Sequence, residues 1–244
     1  MQMQVRCYAS VTSTMDLAIA AAEAGAPEGL VVVAEHQTAG RGRRGRTWSS
    51  PPGAGLYLSC VLRPEVRDSA WLSLITLAAG VAVRRGLENA TGLTPDLKWP
   101  NDLVVGRRKL AGILAEGVGL QTPVQGVVLG IGINLARVAH PPEIESRATS
   151  VEEVLGRTVD PLAVRTHILS AVGEIYASLR RGEADDILRQ WNAAAPAAHG
   201  AGVEWDTPCG TARGTTAGID ADGALLVRTA HALERIVGGE LRWL

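Results

Sequence analysis

Phenylalanine is absent from the 244 residues, and aromatic side chains make up only 4% of them. Leu, Val, Ile and Ala must fill the interior, with six Trp as the bulky pieces; at 46% hydrophobic the chain has enough of them for a sizeable core. Net charge is almost absent as well. The 24 Lys and Arg against 25 Asp and Glu give −1, which argues against the broad basic face of a protein that coats nucleic acid. Cysteine is sparse: Cys7, Cys60 and Cys209 lie far apart with no CxxC or Cys/His ligand spacing, so neither a disulfide framework nor a metal site is expected, and a reducing compartment fits. The first residues lack a basic stretch followed by an apolar one, so they do not read as a secretory leader. The apolar run Ser69 to Val83 is 15 residues, short of the ~20 that span a bilayer. A soluble cytoplasmic protein is expected, with no membrane or nucleic-acid partner. Two nucleotide signatures are missing too: GxxxxGK[ST] does not occur, and no GxGxxG follows a strand to open a helix.

Against these absences stands one concentrated feature. Arg41, Arg43, Arg44 and Arg46 fall within six positions, interleaved with Gly40, Gly42 and Gly45. Clustered guanidinium groups repel, and glycine raises the entropy lost on ordering, so the loop is costly to fix unaided. An anionic ligand reverses the balance, because each charge-assisted hydrogen bond to phosphate or carboxylate contributes roughly 1.5 to 3 kcal/mol. The loop is therefore expected to be mobile alone and ordered by an anion.

Along the chain, Val5–Ala9 reads as a strand, and Ser13 with Asp16 three positions on opens an Ala-rich helix reaching about Gly25. Leu30–His36 and Leu56–Leu62 read as buried strands, and Ser69 to about Thr91 as a long central helix. From Asp96 the pattern is strands with tight turns: "DLKWP", "DLVV", the turn "GRRK", "LAGILAEG" and "VQGVVLGIGINL". Ser150 to about Ala195 reads as helical, with Pro161 placed to begin one helix, and these helices are expected to cover one sheet face. "PPEIESRA" reads as a surface loop. Beyond the "AAAPAAHGAG" stretch come short strands too few for much core of their own. The fold class expected is α+β, a mixed and largely antiparallel sheet covered by helices over 1–195, with a small β module over 196–244 docked on it.

Three patches, "QTAGRGRRGRTW", "KWPNDLVVGRRKLAGIL" and "GIGIN", with "STMDLA" before them, together resemble the catalytic region of biotin protein ligases. The resemblance covers Ser13 to Leu135. It implies a catalytic domain like those of class II aminoacyl-tRNA synthetases, followed by an SH3-like C-terminal barrel. It also implies the monofunctional class, since no winged-helix segment precedes the catalytic region. The implied activity joins biotin to ATP as biotinyl-5'-AMP, with Mg²⁺ assisting, and then transfers biotin to a lysine of a biotin carboxyl carrier domain; a homodimer is compatible with it.

Roles follow by resemblance. Arg43 and Lys109 stabilise charge at the transferring phosphoryl group, a fork and a point charge from separate elements. Ser13, Thr14 and Gln37 match ureido-binding positions, and Met15 departs from the Asn usual there. Gly40 and Arg41 contact biotin through the backbone, and Gly112 and Gly130 permit close approach. Arg44, Arg46, Trp48 and Asn134 fall on the adenylate side. Asp102 is the candidate to orient or deprotonate the acceptor lysine. Plainer roles compete with several of these: Lys98 and Trp99 also fit simple packing, Ser13 a helix cap, Asn134 a turn, and Asp102 a turn or cap. The five histidines form no cluster and read as surface or core residues. Two other functions remain open: lipoate or octanoyl transfer on the related fold, disfavoured by the arginine density, and a non-catalytic biotin sensor, disfavoured by retention of Arg43 and Lys109.

Overall fold

The computed structural model describes residues 1–65, 71–119, 126–137, 142–207, 210–239 and 241–244. Its centre is a seven-stranded sheet of β1 (Gln4–Val11), β2 (Leu30–Gln37), β3 (Gly55–Leu62), β4 (Asp96–Lys98), β5 (Asp102–Val105), β6 (Arg108–Val118) and β7 (Gly126–Asn134). The spatial order is β1-β2-β3-β7-β6-β5-β4. Strand β1 runs parallel to β2. Every other pairing is antiparallel. The single parallel pair has a local cause: α1 (Thr14–Glu23) intervenes as the crossover between β1 and β2.

Period-two alternation decides what each face carries. On β2, Val31 and Val33 join the main core while Leu30 and Val32 pack with α1. The main core lies against α2 (Ile75–Thr91), then α3 (Pro142–Glu145) and α4 (Val151–Leu155) lead to α5 (Pro161–Arg180) and α6 (Ala184–Ala193). Asp160 caps α5 through the Leu162 N–H, with Pro161 opening the helix as its sequence placement implies. Helix α2 starts at Ile75, after a 3₁₀ turn over 71–74. The expected start at Ser69 lies outside the described residues. The segment "PPEIESRA", expected as loop, contains the short α3, because Glu143 and Glu145 favour a helical first turn; residue 141 is outside the described residues. No helix among the described residues is long and apolar enough to cross a membrane.

Helices α2 and α5 meet at Gly86. A Cβ there would lie 2.7 Å from the Ile168 Cα, a backbone atom that cannot rotate away. Gly86→Val is therefore expected to lower unfolding free energy by about 2 to 3 kcal/mol, measured as a shift of the urea midpoint; an unchanged midpoint would show that the helices can part freely.

The C-terminal strands β8 (His199–Thr207), β9 (Gly210–Ile219), β10 (Leu225–Arg228), β11 (Leu233–Ile236) and β12 (Leu241–Trp243) form a five-stranded antiparallel sheet in the order β11-β10-β9-β8-β12. It shares the main core, contributing Val203, Trp205, Leu225, Val227 and Leu241. Lys98 and Trp99 face it. The Trp99 indole N–H donates to the Gly223 carbonyl at 3.0 Å. The Lys98 ammonium lies 4.6 Å from the Trp243 ring centroid. Both residues thus pack against the C-terminal sheet, and both also line the cavity described below.

A candidate active site under the arginine loop

Helix α1 covers only part of its sheet face, and the uncovered part is the floor of a cavity of about 180 Å³. Alternation builds that floor. In "GIGIN", Ile131 and Ile133 enter the main core, so Gly130 and Gly132 point to the opposite face. On β6, Gly112 sits directly across from Gly132, and Leu114 across from Gly130. Two facing glycines leave a trough where side chains would otherwise stand. The Trp48 indole lies in it: a Cβ on Gly132 would be 2.6 Å from Trp48 Cε2, and one on Gly112 2.9 Å from Cζ3.

The arginine loop forms the roof. Trp48 N–H donates to the Gly40 carbonyl at 2.8 Å and Gly42 N–H to the Arg46 carbonyl at 2.7 Å, with an antiparallel bridge between Arg41 and Thr47. The result is a small hairpin with a 3₁₀ tip at Arg43–Gly45. Arg44 takes φ 56°, a left-handed conformation uncommon for a residue with a side chain. Charge repulsion in the loop is answered in part by the protein itself, because the Arg41 guanidinium pairs with Glu116 and Asp16. The Arg41 guanidinium is thus engaged by carboxylates of the protein itself.

One end of the cavity is polar and buried. Ser13, Thr14 and Gln37 are 0%, 3% and 9% exposed. Gln37 Oε1 accepts from the Thr14 N–H at 2.8 Å and from its hydroxyl at 3.1 Å, while Nε2 donates to Ser50 Oγ at 2.8 Å. Thr14 Oγ1 is also 2.8 Å from Ser59 Oγ. Ser13 caps α1 by accepting from the Met15 N–H. Met15 is buried, its sulfur close to the Gly130 face, where a Cβ would come within 2.6 Å.

The other end is charged. Arg43 donates to Asn101 Oδ1 at 3.1 Å, and Asn101 is fixed by its own Nδ2 bond to the Ile113 carbonyl and by Ile113 N–H to its carbonyl. Burial, then repulsion from Arg44, pull the Arg43 guanidinium below its ordinary pKa, with Asp102 opposing; it remains a cation at any working pH. The Lys109 ammonium stands 2.6 Å from Asp102 Oδ1 and 5.3 Å from the Trp48 ring centroid. That oxygen has no aligned hydrogen-bond donor, so the lysine contact is one of charge and distance. The buried Trp48 Nε1–H likewise lacks a partner.

The cavity thus gathers Ser13, Thr14, Gln37, Arg41, Arg43, Arg44, Arg46, Trp48, Asp102, Lys109, Gly112 and Gly130. Gly40 and Asn134 are not among its lining residues. Gly40 is packed beneath, where a Cβ would meet the Trp48 carbonyl at 2.5 Å. The Asn134 amide is engaged by the Thr149 carbonyl at 2.9 Å, holding the segment that bonds Lys109. Sequence reasoning missed Asn101, Ser50, Ser59 and Gly132. The period-two spacing of "GIGIN" signals Gly132, and Asn101 stands inside "KWPND"; the two serines carry no local signal.

Residues 7–134 match the model of the biotin/lipoate A/B protein ligase family. The bifunctional ligase/repressor BirA of Bacillus spizizenii is 36% identical over 233 residues, covering 95% of this chain and 71% of that one. The biotin--[acetyl-CoA-carboxylase] ligase of Paracoccus denitrificans is 38% identical over 217 residues, covering 86% and 88%. Among solved structures, the biotin protein ligase from Aquifex aeolicus in complex with biotin and ATP superposes with a TM-score of 0.86 at 29% identity, covering 99% of this chain and 98% of that one. A shared family model, relatives matched over most of this chain and the same fold agree: the chain belongs to the biotin/lipoate A/B protein ligase family.

Proposed function

We propose that the protein is an ATP-dependent biotin protein ligase that forms biotinyl-5'-AMP and transfers biotin to a lysine of a biotin carboxyl carrier domain. The observation that carries this reading is the cavity's division: a buried polar slot at Ser13, Thr14 and Gln37, and two cations, Arg43 and Lys109, at the other end. The slot suits a ureido group, which offers two N–H donors and one carbonyl acceptor. Under this reading Gly112 and Gly130 admit the ligand closely, Trp48 walls the adenylate, and Asn134 acts from behind by holding the backbone at Lys109. The C-terminal strands form an SH3-like barrel that with 196–244 makes a second domain on 1–195, and the protein works in the cytoplasm.

In the first step a biotin carboxylate oxygen bonds to the α-phosphorus of ATP, the bond to the bridging oxygen breaks, and pyrophosphate leaves. Arg43 and Lys109 offset the negative charge gathered at that phosphorus. ATP enters as its Mg²⁺ complex, since such ions are held mainly by phosphates and water; no group of three acidic, His or Cys side chains able to hold a metal occurs among the described residues. In the second step the lysine amine attacks the acyl carbonyl, its proton passes to Asp102, and AMP departs. Before ligand binding Lys109 is paired with Asp102. A phosphate that draws Lys109 away leaves the carboxylate open to the acceptor, which orders the two steps.

Incubation with ATP, Mg²⁺, biotin and a carrier domain should add the mass of one biotinyl group to the carrier. Lipoate in place of biotin should give none; modification by lipoate alone, or by neither, would overturn the proposal. Arg43→Gly is expected to form the adenylate yet lose it to solution, seen by chromatography as free biotinyl-AMP and as modified bystander proteins. Retention equal to the parent protein would remove Arg43 from its role.

A further inference from the structure

We propose that Asp16 and Glu116 are positioning residues whose carboxylates clasp the Arg41 guanidinium and thereby hold the arginine hairpin down over the cavity. The hairpin's backbone ladder ties it to itself. Among the described residues, side-chain fastenings include Arg41 to its two carboxylates, Arg43 to Asn101 and the Trp48 indole in its trough. If the function proposed above is correct, Arg43 and Trp48 must engage the ligand and so exchange these contacts. Arg41 also lines the cavity, but its guanidinium is taken up by two carboxylates of the protein itself, a contact that can persist through that exchange.

Its geometry is that of a strap. Arg41 Nη2 lies 2.7 Å from both oxygens of Glu116, and Nη1 lies 3.0 Å from Asp16 Oδ1. Glu116 projects from the same β6 face as Gly112 and Leu114, beyond them along the strand. Asp16 stands in the first turn of α1, next to Met15. One guanidinium therefore joins the loop, the floor strand and the covering helix. The three side chains are 30% to 47% exposed, so the contact is partly screened by solvent, and its effect is expected to be modest.

The test needs no ligand. Trypsin cleavage after Arg43, Arg44 or Arg46 of the ligand-free protein, followed by mass spectrometry, should quicken roughly fivefold in Glu116→Gln and less in Asp16→Asn. Cleavage at sites far from the loop reports global unfolding and should not change. The double variant Arg41→Met, Glu116→Gln should be cut no faster than Arg41→Met alone, because the pair acts as one unit. Equal rates in parent and Glu116→Gln, or additive effects in the double variant, would overturn the clasp. With substrates present, Glu116→Gln should raise KM for biotin roughly fivefold while kcat falls by a smaller factor; the reverse split would also overturn it. A parent protein that turns over no biotin would overturn the function proposed above, and the cleavage result would still decide the clasp.

Discussion

Lys109→Ala is expected to slow adenylate formation by about two to three orders of magnitude, or about 3 to 4 kcal/mol of transition-state stabilisation. The ammonium swings on a flexible stem from a braced strand: the Lys109 backbone N–H donates to the Arg147 carbonyl at 2.7 Å, its carbonyl accepts from Thr149 at 2.9 Å, and Asn134 secures the same segment. Truncation therefore removes a charge without loosening its mount, and thermal stability should change little. Pyrophosphate release at saturating ATP and biotin is the measurement. A fall of less than fivefold would mean that the α-phosphate lies elsewhere.

Asp102→Asn is expected to separate the two half-reactions. Transfer to the carrier should drop by about two to four orders of magnitude, the usual contribution of a positioned proton acceptor. Adenylation should persist within a few-fold, and the adenylate should be bound more tightly, because Lys109 no longer leaves a carboxylate 2.6 Å away to reach phosphate. Single-turnover assays that start from preformed adenylate separate the effects. Equal losses in both steps would return Asp102 to a structural role.

Much of the fold was legible because it rests on local rules. The Ser13 cap, Pro161 at a helix start and the apolar runs that become β2 and β3 follow from side-chain size and shape. The paired β1 and β2 were harder, since a parallel contact across α1 leaves no turn signature. In the candidate site, charged residues in named motifs were legible and their protein partners were not. Nothing near Arg41 in sequence announces Glu116, 75 positions on. Ser59 reaches Thr14 only because β3 lies beside β2 in the sheet. Asn134 shows the converse: a polar residue in a glycine-rich motif suggests ligand contact, yet the Thr149 carbonyl claims its amide.

The Gly112–Gly132 trough has a consequence for molecular selectivity. A floor stripped of side chains is flat at the scale of an aromatic ring, so it ranks guests by planarity and thickness before any polar group takes part. Puckered or branched analogues would meet backbone with no room to yield, whereas flat heterocycles could slide into the berth the indole now fills.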